Sequence, residues 1–164
     1  MDDVFQASYL RLEETRQAYP LVRLHSPSIT LNQWLAFARY WAQIPERRGG
    51  LLALKDVRGY LHALFSYRIE TDLSHGKLMR VSDLIIGRLP GRTIDMEIVT
   101  AIERLADGIG CSSVVVELAQ SLAGPSHVAT RSAFASARFT PYAVCFFRQE
   151  HPLPLAHEPS RRTW

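Results

Sequence analysis

The side chains best suited to moving a proton are two carboxylates, Glu70 and Asp83, and three histidines, His62, His75 and His127. A carboxylate can take a proton from an acidic partner directly or through water, and an imidazole exchanges one near neutral pH. Each has a plainer reading. Asp83 is equally a strand-end aspartate bonded to neighbouring backbone, and Glu70 a solvated surface residue. His62 shares a strand face with Leu64 and Ser66, as a hydrogen-bonded core or groove histidine does; His75 reads as a turn residue, and His127 as a residue near a helix start that could face a groove. Cys111 and Cys145 stand beside apolar strand sequence without metal-ligand spacing, so they read as buried thiols and no metal is expected. No serine occupies a nucleophile elbow, the carboxylates form no sugar-hydrolase pattern, and Gly-x-Gly-x-x-Gly is absent, which sets aside triad hydrolases, glycosidases and Rossmann enzymes.

The elements around these residues follow from periodicity. Lys77 to Ile86 opens with loose alternation and ends in an apolar run, the pattern of a strand that becomes covered on both faces. Gly87-Arg-Leu-Pro-Gly-Arg92 breaks it. Ile94, Ile98, Ala101, Ile102, Leu105 and Ile109 then recur at helical spacing, with Gly108 and Gly110 as the stop. Ser112 to Leu118 is a valine-rich strand, so strand, helix and strand form a right-handed crossover between parallel strands. Ser126 to Arg138 reads as a further helix, closed before Thr140-Pro141, and Tyr142 to Phe147 as a final strand. Upstream, Gly50 to Val57 and Tyr60 to Ile69 form an antiparallel hairpin across Arg58-Gly59. Thr30 to Ala42 is an aromatic-rich amphipathic helix in which Trp34 and Trp41 anchor the core. Near the N-terminus two readings stay open, a short strand over Ser8 to Leu12 or a helix through Phe5, Tyr9, Leu12, Arg16 and Tyr19.

In the order and spacing of these elements, residues 50 to 148 resemble the Gcn5-related N-acetyltransferase family. The resemblance implies an α/β fold with a mixed, twisted central sheet of about six to seven strands flanked by about four helices. The family's phosphate-binding loop, Gln/Arg-x-x-Gly-x-Gly/Ala, falls on Pro90-Gly-Arg-Thr-Ile-Asp95, with Thr93 and Asp95 in place of its small glycines. Asp95 would face a diphosphate there unless it turns away to cap the helix, and Arg88 and Arg92 would offset its charge. Downstream, His127 stands at the family's asparagine, Phe134 at its tyrosine acid and Arg138 at its glycine, while Phe139-Thr-Pro141 matches its Phe-x-Pro ending.

By the same resemblance acetyl-coenzyme A is the co-substrate and an amine the acceptor. The cofactor surface would comprise Leu84, Ile85 and Ile86 on the fourth strand, then Arg88, Gly91, Arg92, Thr93, Ile94 and Asp95, with His127. A backbone N–H of Leu84 to Ile86 would hold the oxyanion, Asp83 would serve as base ahead of Glu70, and Tyr142, Tyr67 or Ser132 would have to replace the missing acid. The alternative is a protein of this fold that has lost catalysis and acts as a binding or regulatory module.

Composition sets the remaining bounds. A chain of 164 residues is the size of one domain, here residues 1–150, followed by a proline-rich tail over 151–164. With 47% hydrophobic and 21% charged residues it is an ordinary globular sequence. It has no apolar stretch near the ~20 residues that span a bilayer, and Asp2 and Asp3 replace a signal's basic start, so a cytoplasmic protein is expected. The formal charge of +3 is small and scattered, which argues against nucleic acid and suits an anionic cofactor. By analogy with the family, the aromatic final strand could pair across a homodimer.

Overall fold

The structure, a computed structural model, describes residues 5–87, 94–118 and 128–143. The described chain runs β1 (Gln6–Tyr9), a single 3-10 turn (Leu12–Glu14), α1 (Thr15–His25), α2 (Leu31–Ala42), β2 (Gly49–Lys55), β3 (Leu61–Asp72), β4 (Gly76–Ile86), α3 (Asp95–Ile109), β5 (Ser113–Val116) and α4 (Val128–Ser136). Sheet order follows chain order. Strands β1 to β4 are antiparallel neighbours, and β5 joins β4 in parallel, as the crossover through α3 requires. The described residues thus hold five of the six to seven strands expected. Of the expected final strand, Tyr142 and Ala143 are not in strand conformation and the rest lies outside the described residues, as do Cys145 and the tail.

Local chemistry accounts for the element ends. Thr30 and Gln33 cap α2 reciprocally, Gln33 N–H donating to Thr30 Oγ1 at 3.2 Å and Thr30 N–H to Gln33 Oε1 at 2.8 Å. Helix α3 stops at Gly110, whose φ of 77° is open to glycine without strain. At the N-terminus both alternatives are realised in part. Gln6–Tyr9 pairs as a strand with Leu52–Lys55, and helix begins only at Thr15.

Two cores lie on opposite faces of the sheet. On one, Leu52, Leu54, Phe65, Tyr67, Met79 and Val81 pack against Ile98, Val99, Ile102 and Ala106 of α3 and Ala133 and Phe134 of α4. On the other, Leu51, Ala53, Leu64 and Ile85 meet Ala18 and Val22 of α1 and Trp34, Ala38 and Trp41 of α2. Both tryptophans are core anchors as expected, and the Trp34 indole N–H donates to Thr15 O at 2.6 Å. No helix among the described residues is long and apolar enough to cross a membrane.

Candidate functional site

The site begins where the sheet comes apart. Pairing of β4 with β5 ends at Val81 and Val116, closed by Glu117 N–H on Val81 O at 2.9 Å. From Ser82 to Ile86 no described strand flanks β4 on that side. Its N–H groups point alternately to either side, so those not aimed at β3 face the gap.

A β-bulge coincides with the parting. Ser66 pairs with Ser82, but the next pair is Leu64 with Ile85, so Phe65 stands opposite both Asp83 and Leu84. Asp83 takes a φ of 51°, a left-handed conformation that aspartate tolerates better than most residues. The extra residue changes the alternation: Met79 and Val81, then Leu84 and Ile86, face α3 and α4, while Ile85 turns toward α1 and α2. Beyond the bulge, Gly87 N–H donates to His62 O at 2.8 Å, and a Cβ on Gly87 would meet Leu21 Cδ1 at 2.8 Å. A larger residue there would have to push the Leu21 side chain aside and crowd the His62 carbonyl at 3.2 Å, so glycine suits this close passage by α1.

On the α2 side of the bulge lies a cleft of about 240 Å³, with Arg80, Ser82 and Asp83 of β4, Ser66, Arg68 and Glu70 of β3, and Trp41 of α2 in its lining. Both expected proton-moving carboxylates are here. Asp83 is exposed and accepts from Ser66 Oγ at 2.6 Å, a cross-strand bond in place of the local backbone bond of its plainer reading. Glu70 is half-buried and accepts from Arg80 Nε at 3.0 Å. Arg80 also donates through Nη1 to Glu117 Oε1 at 2.9 Å, and Glu117 Oε2 accepts from Ser82 Oγ at 2.9 Å. Burial works against the Arg80 charge, but the bonds to Glu70 and Glu117 outweigh it and hold its pKa above the ordinary value.

Glu117, Arg80 and Ser82 are additions that sequence reasoning did not single out. Their signal was present: in Val114-Val-Val-Glu117, alternation puts Glu117 on the face of Val115, the partner of Arg80.

The expected cofactor residues are divided. Leu84, Ile85 and Ile86 are buried on β4 beside the gap, and Ile94 is buried at the start of α3, its carbonyl accepting from Ile98 N–H at 3.0 Å. The Asp95 side chain is 4% exposed and accepts from Thr130 Oγ1 of α4 at 2.6 Å, so the carboxylate is turned into the contact between two helices. Arg88, Gly91, Arg92, Thr93 and His127 lie outside the described residues.

Of the other candidates, Tyr67 also lines the cleft, with its hydroxyl engaged, and the rest stand elsewhere. His62 is buried, edge-on to Phe5, with Nε2 at 3.0 Å from Asp56 Oδ2; the imidazole bond holds the Asp56 carboxyl below its usual range. His75 is a turn residue bonded to Asp72 at 2.8 Å, with the Tyr142 ring at 5.3 Å. From that turn to Ser82 is roughly 20 Å along β4 at the usual strand rise. Burial pushes the Tyr67 hydroxyl up, and it donates to Glu46 O beside Tyr9 Oη at 2.9 Å. Ser132 is exposed on α4, and Phe134 is buried against Phe139 with ring centres 5.1 Å apart.

No protein-family model matches the sequence, and no curated protein matches it either. Solved structures do. Glucosamine-6-phosphate N-acetyltransferase from Arabidopsis thaliana superposes with a TM-score of 0.66 at 13% identity over 91% of this chain and 100% of that one. An aminoglycoside N-acetyltransferase in complex with CoA gives 0.70 at 11% identity, over 92% and 98% of the two chains. A GNAT family acetyltransferase from Staphylococcus aureus gives 0.65 at 10% identity, over 88% and 98%. With the parallel β4–β5 pair, the strands parting at a bulge and two helices on each face, the chain has the fold of the Gcn5-related N-acetyltransferases.

Proposed function

We propose that this protein transfers an acetyl group from acetyl-coenzyme A to a primary amine, by direct attack in the gap between β4 and β5. The observation that carries the reading is the bulge at Asp83, which coincides with the parting of the strands and lines one cleft with Glu70. Binding of CoA by a protein of the same fold supports the choice of donor.

In this reading the ammonium is drawn to the carboxylates of Asp83, Glu70 and Glu117. An alkyl ammonium has a pKa of about 10.4, so a proton must leave before attack, and Asp83, exposed and, among the described residues, bonded through only one oxygen, passes it on through water. As the C–N bond forms, negative charge grows on the thioester oxygen, and an N–H of Leu84 to Ile86 facing the gap stabilises it. The oxyanion then re-forms the carbonyl as the C–S bond breaks, the new amide nitrogen gives up its second proton to water, and the thiolate takes its proton from solvent, since Phe134 carries no hydroxyl. The start of α3 favours the diphosphate through its N–H groups and dipole, with Ile94 and the Asp95 backbone completing a cradle that Arg88, Gly91, Arg92, Thr93 and His127 extend. With its carboxylate engaged by Thr130, Asp95 presents less charge to that cradle.

A binding module without turnover is the second reading, favoured by Phe134 at the acid position and by the engaged hydroxyl of Tyr67. Thermal unfolding with acetyl-coenzyme A and coenzyme A is the first test. At about 100 times its dissociation constant a ligand stabilises the fold by ~2.7 kcal/mol, a midpoint rise of roughly 5–10 °C. No rise at millimolar ligand ends the acetyl-transfer reading and leaves a fold kept for another purpose; a rise without thiol release over a panel of amines selects a module that binds coenzyme A.

A further inference from the structure

Asp83 is held in the cleft by an uncharged donor. The Ser66 hydroxyl donates to its Oδ2 at 2.6 Å, and no ion pair engages the carboxylate among the described residues. Ser66 stands in an apolar stretch of β3, Ala63-Leu-Phe-Ser-Tyr67, and is 1% exposed. A buried hydroxyl is almost always paired, and away from water its bond is the stronger for it. Other buried polar side chains bond carboxylates within the fold: Thr130 meets the buried Asp95, and His62 the half-buried Asp56. The carboxylate that Ser66 holds is exposed.

The bulge explains why such a bond is needed. At a φ of 51° Asp83 departs from the regular ladder of β4, and an exposed side chain at such a point has little packing to select its rotamer. One bond across the strands selects it and leaves Oδ1 to the cleft. Register brings the donor there: Ser66 pairs with Ser82, the residue just before the bulge. The next side chain along that face of β3, Arg68, is engaged elsewhere, with Nη2 donating to Tyr40 Oη at 2.7 Å and the guanidinium over the Trp41 ring at 5.5 Å from its centre. A hydroxyl therefore orients Asp83 without setting a second cation against the ammonium that the carboxylate attracts.

We propose that Ser66 is the positioning residue of the base. Its hydroxyl fixes Asp83 with one carboxylate oxygen turned to the cleft, and removal of the proton from the amine depends on that bond. The inference rests on the acetyl-transfer reading with Asp83 as base.

The test is acetyl transfer from acetyl-coenzyme A, at neutral pH, to butylamine, which must lose a proton before attack, and to trifluoroethylamine, whose fluorines keep it unprotonated. Ser66→Ala, and Ser66→Cys, which nearly keeps the volume but donates weakly, are each expected to lower kcat for butylamine at least roughly tenfold, a part of the roughly 10²–10⁴-fold that a positioned base supplies. KM and the thermal stabilisation by acetyl-coenzyme A stay unchanged, and so does transfer to trifluoroethylamine. In an Asp83→Asn background, Ser66→Ala has no further effect on butylamine. An unchanged kcat for butylamine, an equal loss for both amines, or an undiminished loss in the Asp83→Asn background overturns the proposal, the last two because a merely structural serine would slow every substrate with or without the base. Failure of the acetyl-transfer reading looks different: the unaltered protein then releases no thiol with either amine, and this inference falls with it.

Discussion

The two faces of β4 are built for different ends. Toward α3 and α4, Met79, Val81, Leu84 and Ile86 are each 9% exposed or less and join one continuous core. Toward α2, Arg80 and Ser82 are half-buried and Asp83 is exposed, around a cleft. One inserted residue reconciles them. Strict alternation from Met79 through Val81 would aim Asp83 into the core and Leu84 out of it; a bulge at Asp83 lets Leu84 and Ile86 continue the closed face. The closed face therefore holds the fold, while the open face is free to carry charge.

The sharpest way to break that contrast is a pair of variants. Phe65 is fully buried on the closed face, so Phe65→Ala removes transfer free energy and leaves a cavity, at an expected cost of about 3–5 kcal/mol in chemical denaturation. Arg80→Met is expected to stay within ~1 kcal/mol, because Glu70 and Glu117 keep access to water and such pairs contribute little. Equal losses from the two would mean that the open face also carries the fold.

Next in size is the bulge. Asp83→Val forces a β-branched residue into the left-handed region and is expected to cost about 2 kcal/mol. Asp83→Asn tolerates that backbone and keeps the fold, but removes the carboxylate, so acetyl transfer to the preferred amine is expected to fall by roughly 10²–10⁴-fold. Normal transfer by the asparagine variant would move the base to Glu70 or Glu117.

How much of this was legible in the sequence varies with the physics that sets each element. Strands β2 to β5 and helices α2 and α3 were legible because each buries an apolar face with a clean period. Helix α1 was not, since Pro20 lies inside it and proline ordinarily ends a helical pattern. Glu70 and Asp83 were found as candidates, but Glu70 looked solvated because its partner, Arg80, reaches it only through the register of β3 and β4. Glu117 matters through Arg80 and Ser82 on a neighbouring strand and Arg68 through Tyr40 and Trp41 on α2, which no local window contains. For Asp95 in place of a small glycine, the sequence offered Arg88 and Arg92 or a turn away to cap the helix as compensation; the partner found is Thr130, 35 residues away, which no local reading contains.

The smallest expected effect concerns strain away from the cleft. Arg138 is the other described non-glycine residue with positive φ, at 65°, and it sits just past the end of α4. Its N–H donates to Ala135 O and that of Phe139 to Phe134 O, each at 3.0 Å, while the Phe134 and Phe139 rings meet edge to face. Those are the paired bonds and the apolar contact of a Schellman helix end, which glycine fits without strain. An arginine there costs about 1–2 kcal/mol in backbone strain, partly offset because glycine has more freedom to lose on folding. Arg138→Gly is therefore expected to gain ~1 kcal/mol and raise the unfolding midpoint by about 2–4 °C. Unlike Asp83, Arg138 lines no wall of the cleft, so the gain should come without change in amine binding there. A lower midpoint would mean that its guanidinium stabilises the fold by more than the strain it imposes. Weaker binding would instead tie the end of α4 to the cleft across the sheet, and the two faces of β4 would no longer be independent.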